Sequence, residues 1–570
     1  MRFTANLLNV FDHVITCAEI EIEQKRIVGI NILGGEKVGA PYLMPGFIDA
    51  HVHIESSMLT PAQFARLAVV HGTVATVSDP HEIGNVLGVK GVEYMIEDGK
   101  RVPFKFCFGA PSCVPATTFE TAGAAISVKE VRQLLAMKEI GYLAEMMNFP
   151  GVLHEDPEVM MKIQWAKAFN KPVDGHAPGL RGDAAKKYIE AGISTDHECF
   201  TYEEARDKLE SGLDYILIRE GSAAKNFEAL IPLMADYPAR LMFCSDDKHP
   251  DNLAEGHINQ LVKRALAKGY KLFDVLRAAC LNPALHYRLP VGLLREGDPA
   301  DFIVVDNLEG FNVLETYING EKVADRGVSL LPDLRSPMVN QFDCLPCQAS
   351  DFAVKATAPT MQLRVIEALD GQLITNVLEV PARIENGYVV SDTANDVLKV
   401  AVVNRYRQAP VAVGFIKNFG LKQGAIASSV AHDSHNIIAV GCDDESLALA
   451  INSVIEVKGG VSAVGGKEQG VNRKEEGGDE VNVNTKQAAE NVRLLPLPIA
   501  GLMSDTDGYE VARQYTDIDE FVKKILKSPL TSPFMTLSFM ALLVIPSLKM
   551  SDLGLFDGQN FTFTKYYFEN

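Results

Sequence analysis

Positive charge is in short supply in this chain. Against 74 Asp and Glu stand only 54 Lys and Arg, a formal net charge of −20 over 570 residues. No basic patch interrupts that surplus, which argues against non-specific nucleic-acid binding. Cysteine is sparse too. The nine are scattered through a long chain, which reads as reduced thiols of a cytoplasmic protein rather than a disulfide framework. Long apolar runs are missing. The most apolar late stretch, 534–548, is broken by Thr536, Ser538, Pro546 and Ser547, is too short to span a bilayer, and reads as a buried strand or core segment. Behind Arg2 the apolar character is broken by Asn6, Asn9, Asp12 and His13, so no secretory leader is expected. No internal repeat is found. What remains is a soluble globular composition, 47% hydrophobic and 22% charged, in a chain too long for one core, so two to four domains are expected.

The stretch Leu43-Met-Pro-Gly-Phe-Ile-Asp-Ala-His-Val-His-Ile-Glu-Ser-Ser57 carries the first chemical signal. On a strand, residues i and i+2 share a face. His51 and His53 therefore leave the strand side by side, spaced to grip one cation. Before this stretch, residues 14–18, 20–22 and 26–30 read as short strands, with a Gly34-Gly35 turn. After it, apolar runs alternate with amphipathic helical stretches. Eight runs can be counted: 46–53, 73–78, 104–110, 141–147, 172–176, 193–197, 213–219 and 240–245. That alternation predicts a closed (β/α)8 barrel over residues 44–283. Segments 1–43 and 284–330, which flank it, are expected to form one small discontinuous β-sandwich, helped by the Asn319-Gly320 hairpin turn. Residues 331–350 read as a linker. Residues 351–570 read as a C-terminal α/β domain with a mobile polar insertion near 466–490. The fold class is therefore α/β.

The carboxyl ends of barrel strands form the active-site face, and here they are polar. The first run ends in His51 and His53, the second leads into Asp79-Pro-His81-Glu82, and the fourth carries Glu145. The fifth ends at His176, the sixth at His197-Glu198, the seventh at Arg219-Glu220 and the eighth at Asp246-Asp247. Each residue taken singly has a plain structural reading: a hydrogen-bonded core histidine, a buried ion-pair carboxylate, a helix cap. An ordered series at successive strand ends would need several coincidences. His51, His53, Glu145, His176, His197 and Asp246 are therefore the expected ligands. Four imidazoles and two carboxylates suit Zn, Mn or Fe and exceed what one catalytic zinc requires. They fit two divalent ions with Glu145 bridging. The expected chemistry is attack of metal-held hydroxide on an sp2 carbon, with Asp246 taking and returning the proton. His81 either polarises substrate or caps the turn after Pro80. Arg219, Glu220 and Ser112 are candidate substrate contacts, although an ion pair at the barrel rim explains Arg219 and Glu220 equally well. His71 and His154 read as structural.

Two further motifs stand apart. His53-Ile-Glu55 with Cys344-Leu-Pro-Cys347 superficially imitates a deaminase zinc signature. No proline precedes Cys344 and almost 300 residues separate the halves, so a pair of free thiols is the better reading. In the last domain, His432, Asp433 and His435 either bind metal, or reach over the barrel mouth, or make an Asp-capped turn.

Pro45-Gly-Phe-Ile-Asp-Ala-His-Val-His53 resembles the opening signature of the amidohydrolase superfamily. More narrowly, His53-Ile-Glu-Ser-Ser-Met58, Ser78-Asp-Pro-His-Glu-Ile-Gly-Asn85, Asp174-Gly-His-Ala-Pro178, Ser194-Thr-Asp-His-Glu198 and Phe243-Cys-Ser-Asp-Asp247 look like the bacterial adenine deaminases. So do His432-Asp-Ser-His-Asn-Ile437, Leu497-Pro-Ile-Ala-Gly-Leu-Met-Ser504 and Gly554-Leu-Phe-Asp557. The resemblance implies two divalent ions, iron or manganese foremost, and hydrolysis of adenine to hypoxanthine and ammonia in purine salvage. It implies the same six ligands, with Glu145 as the bridge. The chain departs from the family between Gly460 and Leu497, where an extra charged stretch is inserted. The expected partner is a small purine, with no nucleic acid and no membrane, in a homodimer or higher homo-oligomer. Alternatives are another cyclic amidase or deaminase of the superfamily, or a non-catalytic scaffold on the same barrel.

Overall fold

A computed structural model describes residues 1–466 and 491–568; the expected insertion near 466–490 thus falls almost wholly outside the described residues. All eight barrel strands are found: Phe47–Val52, Thr73–Ser78, Lys105–Ala110, Ile140–Met146, Val173–Gly175, Thr195–Asp196, Tyr215–Arg219 and Leu241–Cys244. The first five form one parallel sheet and the last three another. Both seams are stitched. On one side Ser194 N–H donates to Val173 O at 2.9 Å. On the other, Val52 pairs with Asp246, through Asp246 N–H to His51 O at 2.9 Å and His53 N–H to Asp246 O at 3.3 Å. The strands are buried over almost their whole length, as expected of a parallel sheet covered by helices on its outer face.

Beneath the second seam lies a polar tie. The Asp49 carboxylate accepts the Ser245 backbone N–H at 3.0 Å, the Ser245 hydroxyl and His257 Nε2–H at 2.7 Å. All three residues are buried, so each polar group satisfies another. The tie holds the first and last barrel strands in register two residues below His51 and one residue below Asp246.

The two flanking β segments come together in one hydrogen-bonded eight-stranded sheet. The short strand Tyr42–Pro45 joins them, pairing in parallel with Arg2–Asn9 on one side and antiparallel with Phe302–Val305 on the other. The sheet has its own core of Leu7, Ile20, Ile27, Leu43, Phe302 and Tyr317.

The C-terminal part carries a second eight-stranded sheet, including Gln362–Ala368, Val397–Val403, Ala412–Lys417 and Ile437–Gly441. Helix Asp444–Glu456 packs on it through Leu447, Ile451 and Val454. The late apolar run is buried as expected, but Pro533–Phe539 is helical rather than extended. Barrel and C-terminal part share one continuous apolar core. Among the described residues no helix is long and apolar enough to cross a membrane.

Candidate active site

The six predicted ligands converge. His51 Nε2 and His53 Nε2 lie 3.2 Å apart. Asp246 Oδ1 is 3.3 Å from His53 Nε2 and 3.7 Å from His51 Nε2. Glu145 sits between two groups of imidazoles. Its Oε1 is 3.4 Å from His53 Nε2; its Oε2 is 2.7 Å from His176 Nδ1 and 3.1 Å from His197 Nε2. The His51 and His197 rings stack at 4.0 Å. All six residues are at most 6% exposed.

Charge explains what this arrangement can hold. Burial works against ionisation of Glu145, but His176 and His197 keep its carboxyl well below the usual carboxylate range. Burial likewise opposes ionisation of Asp246, and Arg219 with His53 overrides it. Burial, His197 and His53 push the His51 imidazole well below its ordinary value, leaving it neutral with a lone pair free. Two carboxylates and several imidazole nitrogens face one another within ligand distance, in overlapping groups that include His51, His197 and Asp246 on one side and Glu145, His176 and His197 on the other. That donor set fits hard or borderline divalent cations.

Around this centre the neighbours of the ligands form an outer ring. Arg219 is fully buried. It donates from Nη1 to Asp246 Oδ2 at 2.7 Å and makes a two-pronged pair with Glu198, with Nη2 to Oε2 at 3.0 Å. Arg219 is thus neither at the rim nor free for substrate: it orients Asp246. Ser112 is similarly engaged, donating to the Glu145 carbonyl at 2.5 Å. Glu220 pairs with Arg264 at 2.8 Å and Lys225 at 3.3 Å, and no described contact links it to the ligand cluster. Most polar atoms of these three candidate substrate contacts are thus engaged within the protein. His81 lies inward, with Nδ1 3.2 Å from Asp79 Oδ2 and 3.5 Å from Glu145 Oε1, and Nε2 3.3 Å from Glu82 Oε1.

The segment 431–436 is a turn that also reaches over the barrel mouth. His432 Nε2–H donates to Asp247 Oδ1 at 3.2 Å and lies 3.0 Å from Glu82 Oε1. Ser56 donates to the same Asp247 oxygen at 2.5 Å. Asp433 Oδ1 is 3.5 Å from His81 Nε2, and His435 bonds Glu82. Sequence reasoning had no role for Glu82, Glu198 and Asp247. Each immediately follows an assigned residue, and that adjacency was the available signal. His71 and its 2.9 Å bond to the Leu253 carbonyl fit the structural reading, as does burial pushing it down to about 4.

The amidohydrolase family profile matches residues 42–323. The adenine deaminase C-terminal domain profile matches residues 372–473 and 471–562. An adenine deaminase of Salinibacter ruber is 57% identical over 93% of this chain and 92% of its own. One of a Sulfurovum species is 53% identical over 99% of both. Among solved structures, a β-aspartyl dipeptidase of Fervidobacterium islandicum overlaps with a TM-score of 0.45 at 17% identity, over 58% of this chain and 98% of that one.

Proposed function

The chain belongs to the adenine deaminases, a branch of the amidohydrolase family, and on that premise we propose that it hydrolyses adenine to hypoxanthine and ammonia. In this reaction a C6–O bond forms, the C6–N bond breaks, and water supplies the oxygen. The observation that carries the reading is the convergence of six ligand-type side chains at the carboxyl ends of five barrel strands, with Glu145 presenting one oxygen to each imidazole group.

The residues present fit a pair of divalent cations, manganese or iron foremost and zinc also compatible. His51, His53 and Asp246 would hold one and His176 and His197 the other, with Glu145 shared. The chemistry such ions supply is an ionised water at neutral pH and charge stabilisation in the transition state. The chain's own residues do the rest. Asp246, aimed by Arg219, accepts the proton of the attacking water and returns it to the departing amino group. His81, next to Glu145, would donate to the ring nitrogen adjacent to the reacting carbon and balance the negative charge it gains, while Glu82 beside it would accept from an N–H of the base. Burial of the whole ring strengthens each of these interactions. A cytoplasmic, homo-oligomeric enzyme of purine salvage is the corresponding setting.

The test is direct. Chelated protein reloaded with Mn(II) should convert adenine to hypoxanthine, with ammonia released in equal amount. Hydrolysis of a cyclic amide in place of adenine would transfer the site to another branch of the family. Protein that purifies with no metal and turns over neither substrate would favour a scaffold.

A further inference from the structure

Glu82 is buried to 1%, and its two oxygens are treated differently. Oε2 accepts a hydrogen bond from His435 Nε2–H. The His435 tautomer is fixed from behind, because Nδ1 accepts the Ala431 backbone N–H at 3.2 Å. His435 itself is fully buried. Oε1, by contrast, makes no aligned hydrogen bond, although His432 Nε2 and His81 Nε2 stand 3.0 and 3.3 Å away. His432 Nε2 is shared with Asp247, 3.2 Å away. A buried carboxylate oxygen short of aligned donors is costly unless a ligand completes it. One oxygen is thus tied down by the C-terminal part and the other is held open beside the proposed metal ligands.

We propose that His435 is a positioning residue: it locks Glu82 in the orientation that presents Oε1 to an N–H of the bound base. The inference rests on the deaminase reading and adds that the C-terminal part completes the active site. A second tie acts in parallel. His432 Nδ1 meets the Ser538 hydroxyl at 2.5 Å and its Nε2 holds Asp247, so the two histidines of the turn fix two carboxylates of the barrel. If that N–H is the one that forms on the ring nitrogen as C6 is attacked, the contact strengthens in the transition state, and loosening Glu82 should lower kcat more than it changes KM.

The experiment uses the full-length protein loaded with Mn(II), compared as wild type, His435→Ala, His435→Gln, Glu82→Gln and the double variant His435→Ala/Glu82→Gln. His435→Ala should lose about 10- to 100-fold in kcat, the usual scale for residues that orient functional groups, with KM within about threefold and metal content unchanged. His435→Gln, which retains an N–H toward Glu82, should recover most of the loss. In the Glu82→Gln background His435→Ala should cost almost nothing further, since the two act as a unit. Full additivity would overturn the proposal, as would a wild-type kcat for His435→Ala, or equal losses in Ala and Gln. If His435→Ala does not fold, His435→Phe, which keeps the ring's bulk but no N–H toward Glu82, takes its place: a kcat loss with a near wild-type KM supports the proposal and an intact kcat overturns it. An inactive wild type would instead remove the deaminase reading on which it rests.

Discussion

Replacing Glu145 by Gln separates a bridging carboxylate from an ordinary buried one. Each oxygen has its own partners. Oε1 faces His53 at 3.4 Å, and Oε2 faces His176 and His197 at 2.7 and 3.1 Å. An amide keeps the size and one carbonyl oxygen, but its other arm is a donor and cannot ligate. One cation therefore loses a ligand. The loss falls harder on the side of His176 and His197, which would be left with two imidazoles, than on the side of His51, His53 and Asp246, which would keep three protein ligands. The expected metal content of Glu145→Gln is one ion per chain against two for the wild type. Changes behind a ligand cost about 10- to 100-fold in metal affinity or activity, so losing a ligand itself should cost at least about 100-fold in kcat. Stability reports the same event independently. An ion held at about 1,000 times its Kd adds about 4 kcal/mol to the folded state, so the rise in Tm on adding Mn(II) should shrink in the variant. Metal analysis, kinetics and thermal scans with and without chelator give the three readings. A variant that keeps two ions and wild-type turnover would refute the bridge.

Further expectations follow from other groups. Arg219→Met removes the cation from a buried trio with Asp246 and Glu198; two stranded carboxylates should cost about 3–5 kcal/mol, read as a lowered denaturant midpoint, and an unchanged midpoint would contradict the assigned partners. His71 supplies a pH effect away from the ligands. Burial, then His257, lowers it to about 4 in the folded protein, against about 6.5 unfolded. The unfolded chain therefore takes up the proton first, and stability present above about pH 6.5 is lost as pH falls toward 4, by about 3 kcal/mol. His71→Gln should flatten that limb of the Tm–pH curve, and an unaltered slope would remove His71 as its cause.

The barrel was legible because its strands are short apolar runs that end in polar groups, a pattern that needs no tertiary information. The convergence of the six proposed ligands was legible for the same reason: His51 and His53 share a face by strand alternation, and the others stand at strand ends. Alternation stops where the strand stops. For Glu82, Glu198 and Asp247, which lie beyond the strand ends, no rule gave a direction. Arg219 could be placed at a strand end but not given a partner, since Glu198 and Asp246 reach it from other strands. How the two flanking segments join was not legible, because a four-residue strand, Tyr42–Pro45, pairs on both edges, and spacing along the chain does not reveal two-sided pairing. The turn at 431–436 lies about 350 residues from Glu82, and only the packed structure chooses between its several readings.

The seam between the first and last barrel strands carries one more implication. Val52 and Asp246 pair there, and both margins bear groups proposed to hold a cation: His51 and His53 on one, Asp246 on the other. An ion bound across it would serve as a clasp, joining segments almost 200 residues apart. Closing so long a loop is among the slower, entropically expensive events in folding. Metal capture and completion of the cylinder would then be a single step, and stripping the ion should loosen the molecule first along that line, ahead of the strands opposite.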